Sequence, residues 1–232
     1  MKKFLVSLCV IMVAFVIAKD THATRIDFEG LPFSIVEHGG DLIPSPDSVL
    51  TDNFINDGLL FGRAGISKGV AVLKSDSDSL APSSGFNSIG GLDEFGNLPG
   101  TNLGAAIGDI FFEFVLPSSH TSAFTDFVQF TVGDTGGDLD MFKIYAYGLN
   151  DQLIYNQNFS NISRFSVSID MQGIQRVEID FSGDFGYSLD DLNFNTPFTE
   201  AGTTPEPSTM LLLGAGIIGL AGLRKKSHNR IV

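Results

Sequence analysis

Apolar and acidic residues exchange places at every step of Val177-Glu178-Ile179-Asp180-Phe181, and this period of two constrains the fold more than any other feature of the chain. Side chains alternate between two faces only in an extended strand, so one side of the segment is built for burial and the other for water. Similar runs recur at Arg25–Phe28, Gly69–Lys74, Ile110–Leu116, Asp126–Val132, Met141–Tyr147, Arg164–Ile169 and Leu189–Phe194. Gly, Asn, Asp and Ser fill the intervals, and Gly148-Leu149-Asn150-Asp151, between two such runs, reads as a hairpin turn. No part of the body keeps an apolar stripe at helical spacing over three turns. The expectation is an all-β domain of roughly eight to ten short strands, packed as an antiparallel two-sheet β-sandwich of jelly-roll type. The 21 Phe of the chain would lie between the sheets. Ser75 to Gly108, polar and rich in Gly and Ser, breaks the rhythm and reads as either a binding loop or a mobile excursion. There is no internal repeat.

The two ends have a different character. Lys2 and Lys3 precede an apolar run from Phe4 to Ala18, and Thr21-His22-Ala23 offers a small-residue cleavage site. That order reads as a signal peptide over residues 1–23, taken up by the export machinery and cut by signal peptidase. The single cysteine, Cys9, falls inside it, so the mature chain is expected to have neither thiol nor disulfide. The β-sandwich would occupy residues 24–194 and a small polar linker residues 195–204. At the far end, Pro205-Glu206-Pro207-Ser208-Thr209 leads into Met210–Leu223, an uninterrupted run of apolar residues and glycines, and Arg224-Lys225-Lys226 follows at once. Two prolines around Glu206 exclude helix there and hold the peptide extended. The oily run reads as a C-terminal hydrophobic helix, short for a membrane span, with the basic cluster as its stop-transfer end and residues 227–232 as a cytoplasmic tail. Gly214-Ala215-Gly216-Ile217-Ile218-Gly219 matches a dinucleotide fingerprint by accident, because too little chain follows to complete such a site.

Residues 205–226, in this order and at the end of the chain, resemble the PEP-CTERM sorting signal of Gram-negative bacteria, a segment also catalogued as an ice-binding protein C-terminal domain. The resemblance implies recognition by exosortase, an inner-membrane cysteine transpeptidase. It further implies cleavage near Pro205, Glu206 and Pro207, with delivery to the cell surface or an exopolysaccharide matrix such as a biofilm. No regular Thr array supports ice binding. Leu50–Phe61 and Tyr187–Phe194 loosely resemble segments of exported sandwich proteins that carry this signal.

From Thr24 to Thr204 the body holds 7 Lys and Arg against 25 Asp and Glu, a net charge of −18. Such a surface repels phosphate backbones and attracts cations, which excludes nucleic acid as the expected partner. The body has only His38 and His120 and no nucleophile, zinc or P-loop motif, so no catalytic residue is assigned and the expected class is non-enzymatic. Two acidic constellations are candidates for structural calcium, the one cofactor considered. In the first, pairing of the terminal strands would gather Asp27 and Glu29 with Asp190 and Asp191, an arrangement similar to jelly-roll carbohydrate-binding modules; outward-facing strand carboxylates are the alternative. The second is the Gly-rich turn carrying Asp134, Asp138 and Asp140, which reads equally as a hairpin turn. Tyr145 and Tyr147 share one side of a strand, and with Tyr187 they are candidates for glycan contact, though core packing explains them as well. The expected function is a surface or matrix protein whose sandwich binds exopolysaccharide or serves as structure; the alternative is a calcium-assisted polysaccharide hydrolase.

Overall fold

The computed structural model describes residues 23–38, 41–62, 69–74, 84–93, 96–98, 108–134, 137, 139–182 and 186–197. Residues 21–199 form one compact unit. Its strands are β1 (Ala23–Ile26), β2 (Ile35–His38), β3 (Asp41–Pro44), β4 (Val49–Leu50), β5 (Leu59–Phe61), β6 (Val70–Lys74) and β7 (Asn87–Gly91). They continue as β8 (Ile110–Phe114), β9 (Thr125–Gly133), β10 (Asp140–Tyr147), β11 (Leu153–Asn161), β12 (Phe165–Ile174), β13 (Arg176–Phe181) and β14 (Ser188–Asn195). Among the described residues there is no α-helix, and the only helical turns are short 3-10 segments. All but the last residue of the expected signal peptide over residues 1–23, the sorting residues Pro205, Glu206 and Pro207, the expected hydrophobic helix and the basic cluster Arg224, Lys225 and Lys226 lie outside the described residues. Among the described residues no helix is long and apolar enough to cross a membrane.

The expected sandwich is present. A seven-stranded sheet runs β12-β9-β14-β7-β6-β4 with β1 added on β14, and a five-stranded sheet runs β11-β10-β13-β8-β5. A separate hairpin joins β2 to β3. All pairings are antiparallel, and from β8 onward the chain passes repeatedly between the sheets, as in a jelly roll. The alternation explains the layers. In β10, Phe142, Ile144 and Ala146 are buried while Met141 and Lys143 are exposed; in β9, Val128, Phe130 and Val132 are buried. Phenylalanine edges meet across the core, with Phe112 at 6.0 Å from Phe61 and 6.2 Å from Phe130, centroid to centroid. These contacts add to the area term that dominates such a core.

One expectation fails inside Ser75–Gly108. Asn87–Gly91 is neither binding loop nor mobile excursion: it forms a buried strand between β14 and β6. The strand contains one large apolar residue, Ile89, because Gly91, next on the same face, lies against backbone. A Cβ on Gly91 would collide with the Asp109 carbonyl oxygen, where Gly108 bridges to Gly91. The outer face of this end of the larger sheet is closed by a small apolar cluster of Ala71, Leu73, Leu92 and Leu98. The other half of that face, over β14, β9, β12 and β1, carries polar side chains.

Candidate polar binding face

The terminal strands do pair. Arg25 stands opposite Asn193 and Ile26 opposite Leu192, so the chain's two ends share one sheet. The four carboxylates of the first acidic constellation are thereby brought to one region, yet they do not converge. Asp27 Oδ1 accepts from the Glu29 amide at 3.2 Å, and Glu29 Oε1 accepts from the amides of Phe86 and Asn87, each at 2.7 Å. Asp190, 2% exposed, accepts the Ser84 amide at 2.8 Å and the Ser84 hydroxyl at 3.2 Å through Oδ2, and the Asp191 amide at 2.7 Å through Oδ1. Asp191 Oδ1 lies 2.6 Å from Nη2 of Arg25. The repulsion that suggested a cation is instead relieved by backbone N–H groups and one guanidinium. Among the described residues no group of three or more His, Cys, Asp or Glu is disposed to hold a metal ion. Glu29 and Asp190 act together as a clamp that fixes residues 84–87 at the entry to β7.

Local backbone sets up this clamp. Phe28, buried with φ 59°, turns its ring into the core and sends Glu29 outward toward residues 86 and 87. Asp191 occupies a bulge: Asp190 pairs with Thr131 and Asn193 with Gln129, leaving one extra residue on β14. At φ 51° it lets Leu192 return to the core while its own carboxylate swings to Arg25. The sequence Leu189-Asp190-Asp191-Leu192 breaks alternation at this point, and that break was the available signal.

The bulge shapes a shallow concavity of about 350 Å³ lined by Arg25, Gln129, Thr131, Ser166, Asp191 and Asn193. Register explains the lining. Ser168 faces Gln129, Gln129 faces Asn193, and Asn193 faces Arg25, so four neighbouring strands present one polar row; Ser166 opposite Thr131 begins the next. Asn193 donates through Nδ2 to the Asp191 carbonyl at 3.0 Å, and the hydroxyls of Thr131 and Ser166 are 3.4 Å apart. The Asp191 hydrogen bond, followed by its charge, raises the Arg25 pKa further above its ordinary value, keeping the guanidinium ionised and its fork oriented. Chemically the concavity offers amide, hydroxyl and guanidinium groups, and within its lining the one cation is paired with one carboxylate. Sequence reasoning singled out Asp191 here and missed Arg25, Gln129, Thr131, Ser166 and Asn193, which only pairing between distant strands brings together.

The remaining sequence candidates are placed elsewhere. Asp134 and Asp140 are buried at the ends of β9 and β10, where the Arg164 amide donates to the Asp134 carbonyl at 2.8 Å. Asp138 lies outside the described residues. Tyr145 and Tyr147 stand side by side on the outer face of the smaller sheet, 6.2 Å between ring centroids. The Arg176 guanidinium covers the Tyr147 ring at 4.1 Å and pairs with Asp151 at 2.6 Å. Burial raises the Tyr147 pKa, with the nearby Glu178 charge adding to the shift. Tyr187 corrects the expectation of a ligand contact. It is fully buried, its ring 4.6 Å from that of Phe181, and its hydroxyl donates to the Gly108 carbonyl at 3.0 Å.

Residues 203–226 match the PEP-CTERM protein-sorting motif. No curated protein matches the sequence. Solved structures share the sandwich at low similarity. A DUF4465 family protein from Bacteroides caccae is 12% identical with a TM-score of 0.39, over 75% of this chain and 98% of that one. The CBM22-1–GH10 modules of Clostridium thermocellum endo-1,4-β-D-xylanase 10B, complexed with xylohexaose, are 8% identical with a TM-score of 0.34, over 68% of this chain and 29% of theirs. The family 11 carbohydrate-binding module of C. thermocellum, in complex with a β-1,3-1,4-mixed-linked tetrasaccharide, is 12% identical with a TM-score of 0.27, over 66% of this chain and 97% of that one. The fold and the motif together define an exported, sorted β-sandwich protein.

Proposed function

We propose that the protein is a non-catalytic surface or matrix component. Exosortase processes it at the Pro205-Glu206-Pro207 motif, and its sandwich binds a neutral polysaccharide across the β12-β9-β14-β1 face. The observation that carries this reading is the polar row Ser168–Gln129–Asn193–Arg25, whose amides, hydroxyl and ion pair match the paired donors and acceptors of sugar hydroxyls. A body of net charge −18 repels anionic polymers, while a polar lining offers nothing to lipid or apolar ligands. Hydroxyl-rich neutral chains are what remains. The sorting motif supports the same reading, because it implies export to the cell surface, where neutral polymers would be met.

The test is affinity electrophoresis of the protein recovered from its exporting cells, run through gels containing the neutral fraction of the organism's own exopolysaccharide. Retardation is expected, and Gln129→Ala or Asn193→Ala should each weaken binding roughly fivefold to tenfold, the equivalent of about 1 kcal/mol per hydrogen-bonding side chain. Tyr145→Ala, on the opposite sheet, should leave retardation unchanged. Absence of retardation overturns the binding assignment. New reducing ends in the polysaccharide after incubation overturn the non-catalytic one.

A further inference from the structure

A long strand at the rim of a sheet carries outward N–H and C=O groups that can template another strand, and folded proteins usually blunt such edges. Among the described residues five strands of the two main sheets have a single strand partner, and four of these edges are blunted. β1 has 4 residues and carries the charge of Arg25. β4 has 2 residues. β5 has 3, and local backbone covers it, with the Leu59 amide donating to Phe54 at 3.1 Å and the Phe61 amide to Thr51 at 2.9 Å. β12 is long, but it exposes Asp170 and its register breaks between Asp170 and Ile174, where Gly173 has φ 80°. The fifth edge, β11, reads Leu-Ile-Tyr-Asn-Gln-Asn-Phe-Ser-Asn: 9 residues without a charge, a proline or a glycine, in a body of net charge −18. From Tyr155 to Asn161 its ladder with β10 is regular, and among the described residues β10 is its only strand partner.

We propose that β11 pairs antiparallel with β11 of a second copy about a two-fold axis at Gln157, fusing two five-stranded sheets into one continuous sheet. A two-fold contact must be self-complementary, and this strand is. Centred on Gln157, the pairing sets Tyr155 opposite Phe159 twice, Asn156 opposite Asn158 twice, and Gln157 opposite itself. Aromatic pairs and amide ladders are the cross-strand combinations that stabilise such joins. Tyr155 and Phe159 stand on the core side, opposite Ala146 and Phe142 of β10, and Phe159 already packs against Phe165 of β12 at 5.3 Å. The join therefore extends the aromatic rim of the core. A register slip of one residue would set Tyr155 opposite Asn158 or Ser160 and break the aromatic pairing. Two strongly acidic bodies also approach at least electrostatic cost along a strand that carries no charge.

Single cysteines test both partner and register, because Cys9 is the chain's only cysteine and can be replaced by Ser. In the full chain expressed in an exporting host, Gln157→Cys places two thiols across the axis, within disulfide reach. Ser160→Cys places each thiol about 10 Å from the axis, three residues along the strand, and so out of reach. The parent protein should run as a dimer in light scattering, and Q157C should yield a covalent dimer on a non-reducing gel while S160C does not. Q157K, which sets two ammonium groups face to face, should raise the dimer dissociation constant at least tenfold with unchanged circular dichroism. A monomeric parent, equal cross-linking at positions 157 and 160, or an undiminished Q157K dimer overturns the proposal.

Discussion

At the scale of single residues, buried polar groups decide most of what is specific to this sandwich. Asp190 is the clearest case, since one carboxylate satisfies the Ser84 amide, the Ser84 hydroxyl and the Asp191 amide from a fully enclosed position. Asp190→Ala strands those donors and is expected to cost about 2–3 kcal/mol, a fall in melting temperature of roughly 5–10 °C for a domain of this size. Because the carboxylate is engaged by protein donors, adding calcium or a chelator should leave the parent's melting temperature unchanged; a calcium-dependent melt that Asp190→Ala abolishes would refute the clamp. Tyr187 gives a second expectation, in pH. Burial, with the Asp109 charge second, raises its phenol pKa well above the ordinary value of about 10. Above that value the unfolded chain releases the proton while the folded chain keeps it, so the folded state binds more protons and stability falls as pH rises. The full contribution is present below pH ~10, and the loss approaches ~1.4 kcal/mol per pH unit above it. Tyr187→Phe should be about 1 kcal/mol less stable at neutral pH, having lost the bond to Gly108, yet show a shallower alkaline decline. Urea titrations at pH 7 and pH 11 measure both effects.

At the scale of elements, what the sequence announces and what it conceals divide along a physical line. Strands that bury one face and wet the other must alternate, so β9, β10, β13 and the second half of β14, Leu192 to Asn195, were legible from residue order alone. β7 was not, because its neighbours are backbone: where Gly108 crosses Gly91, selection favours the smallest side chain over an apolar one. β11 was obscured for a different reason. Lying at the rim, Asn156, Gln157 and Asn158 are exposed on successive positions, which erases the period of two. The site divides in the same way. Pairing of the first and last strands was inferable from jelly-roll topology, and it is what brings Arg25 to Asp191. The row formed with Gln129 and Ser168 depends on register between strands distant in sequence, and the sequence carries no local mark of register beyond the irregular Asp190-Asp191 step.

At the scale of the whole molecule, the polar face and the sorting motif separate cleanly along the chain. The last described residue, Pro197, is buried and fits against Gly58, where a Cβ would lie 2.8 Å from its ring. The matched motif begins at residue 203, a few residues beyond. The compact unit ends at Thr199, ahead of the motif, and changes within the motif should alter destination without altering fold. Replacing Pro205, Glu206 and Pro207 by alanine removes the extended, proline-flanked peptide that a protease-type cleft requires. The altered chain should melt at the parent's temperature and be retarded like the parent in the exopolysaccharide gel, yet remain with the membrane fraction and retain the mass of residues 208–232. The parent recovered from outside the cell should lack that mass. Intact-mass measurement of both fractions decides the matter: an extracellular parent that keeps its full C terminus, or an alanine variant released and trimmed like the parent, would show that the motif is not the point at which the protein leaves the membrane.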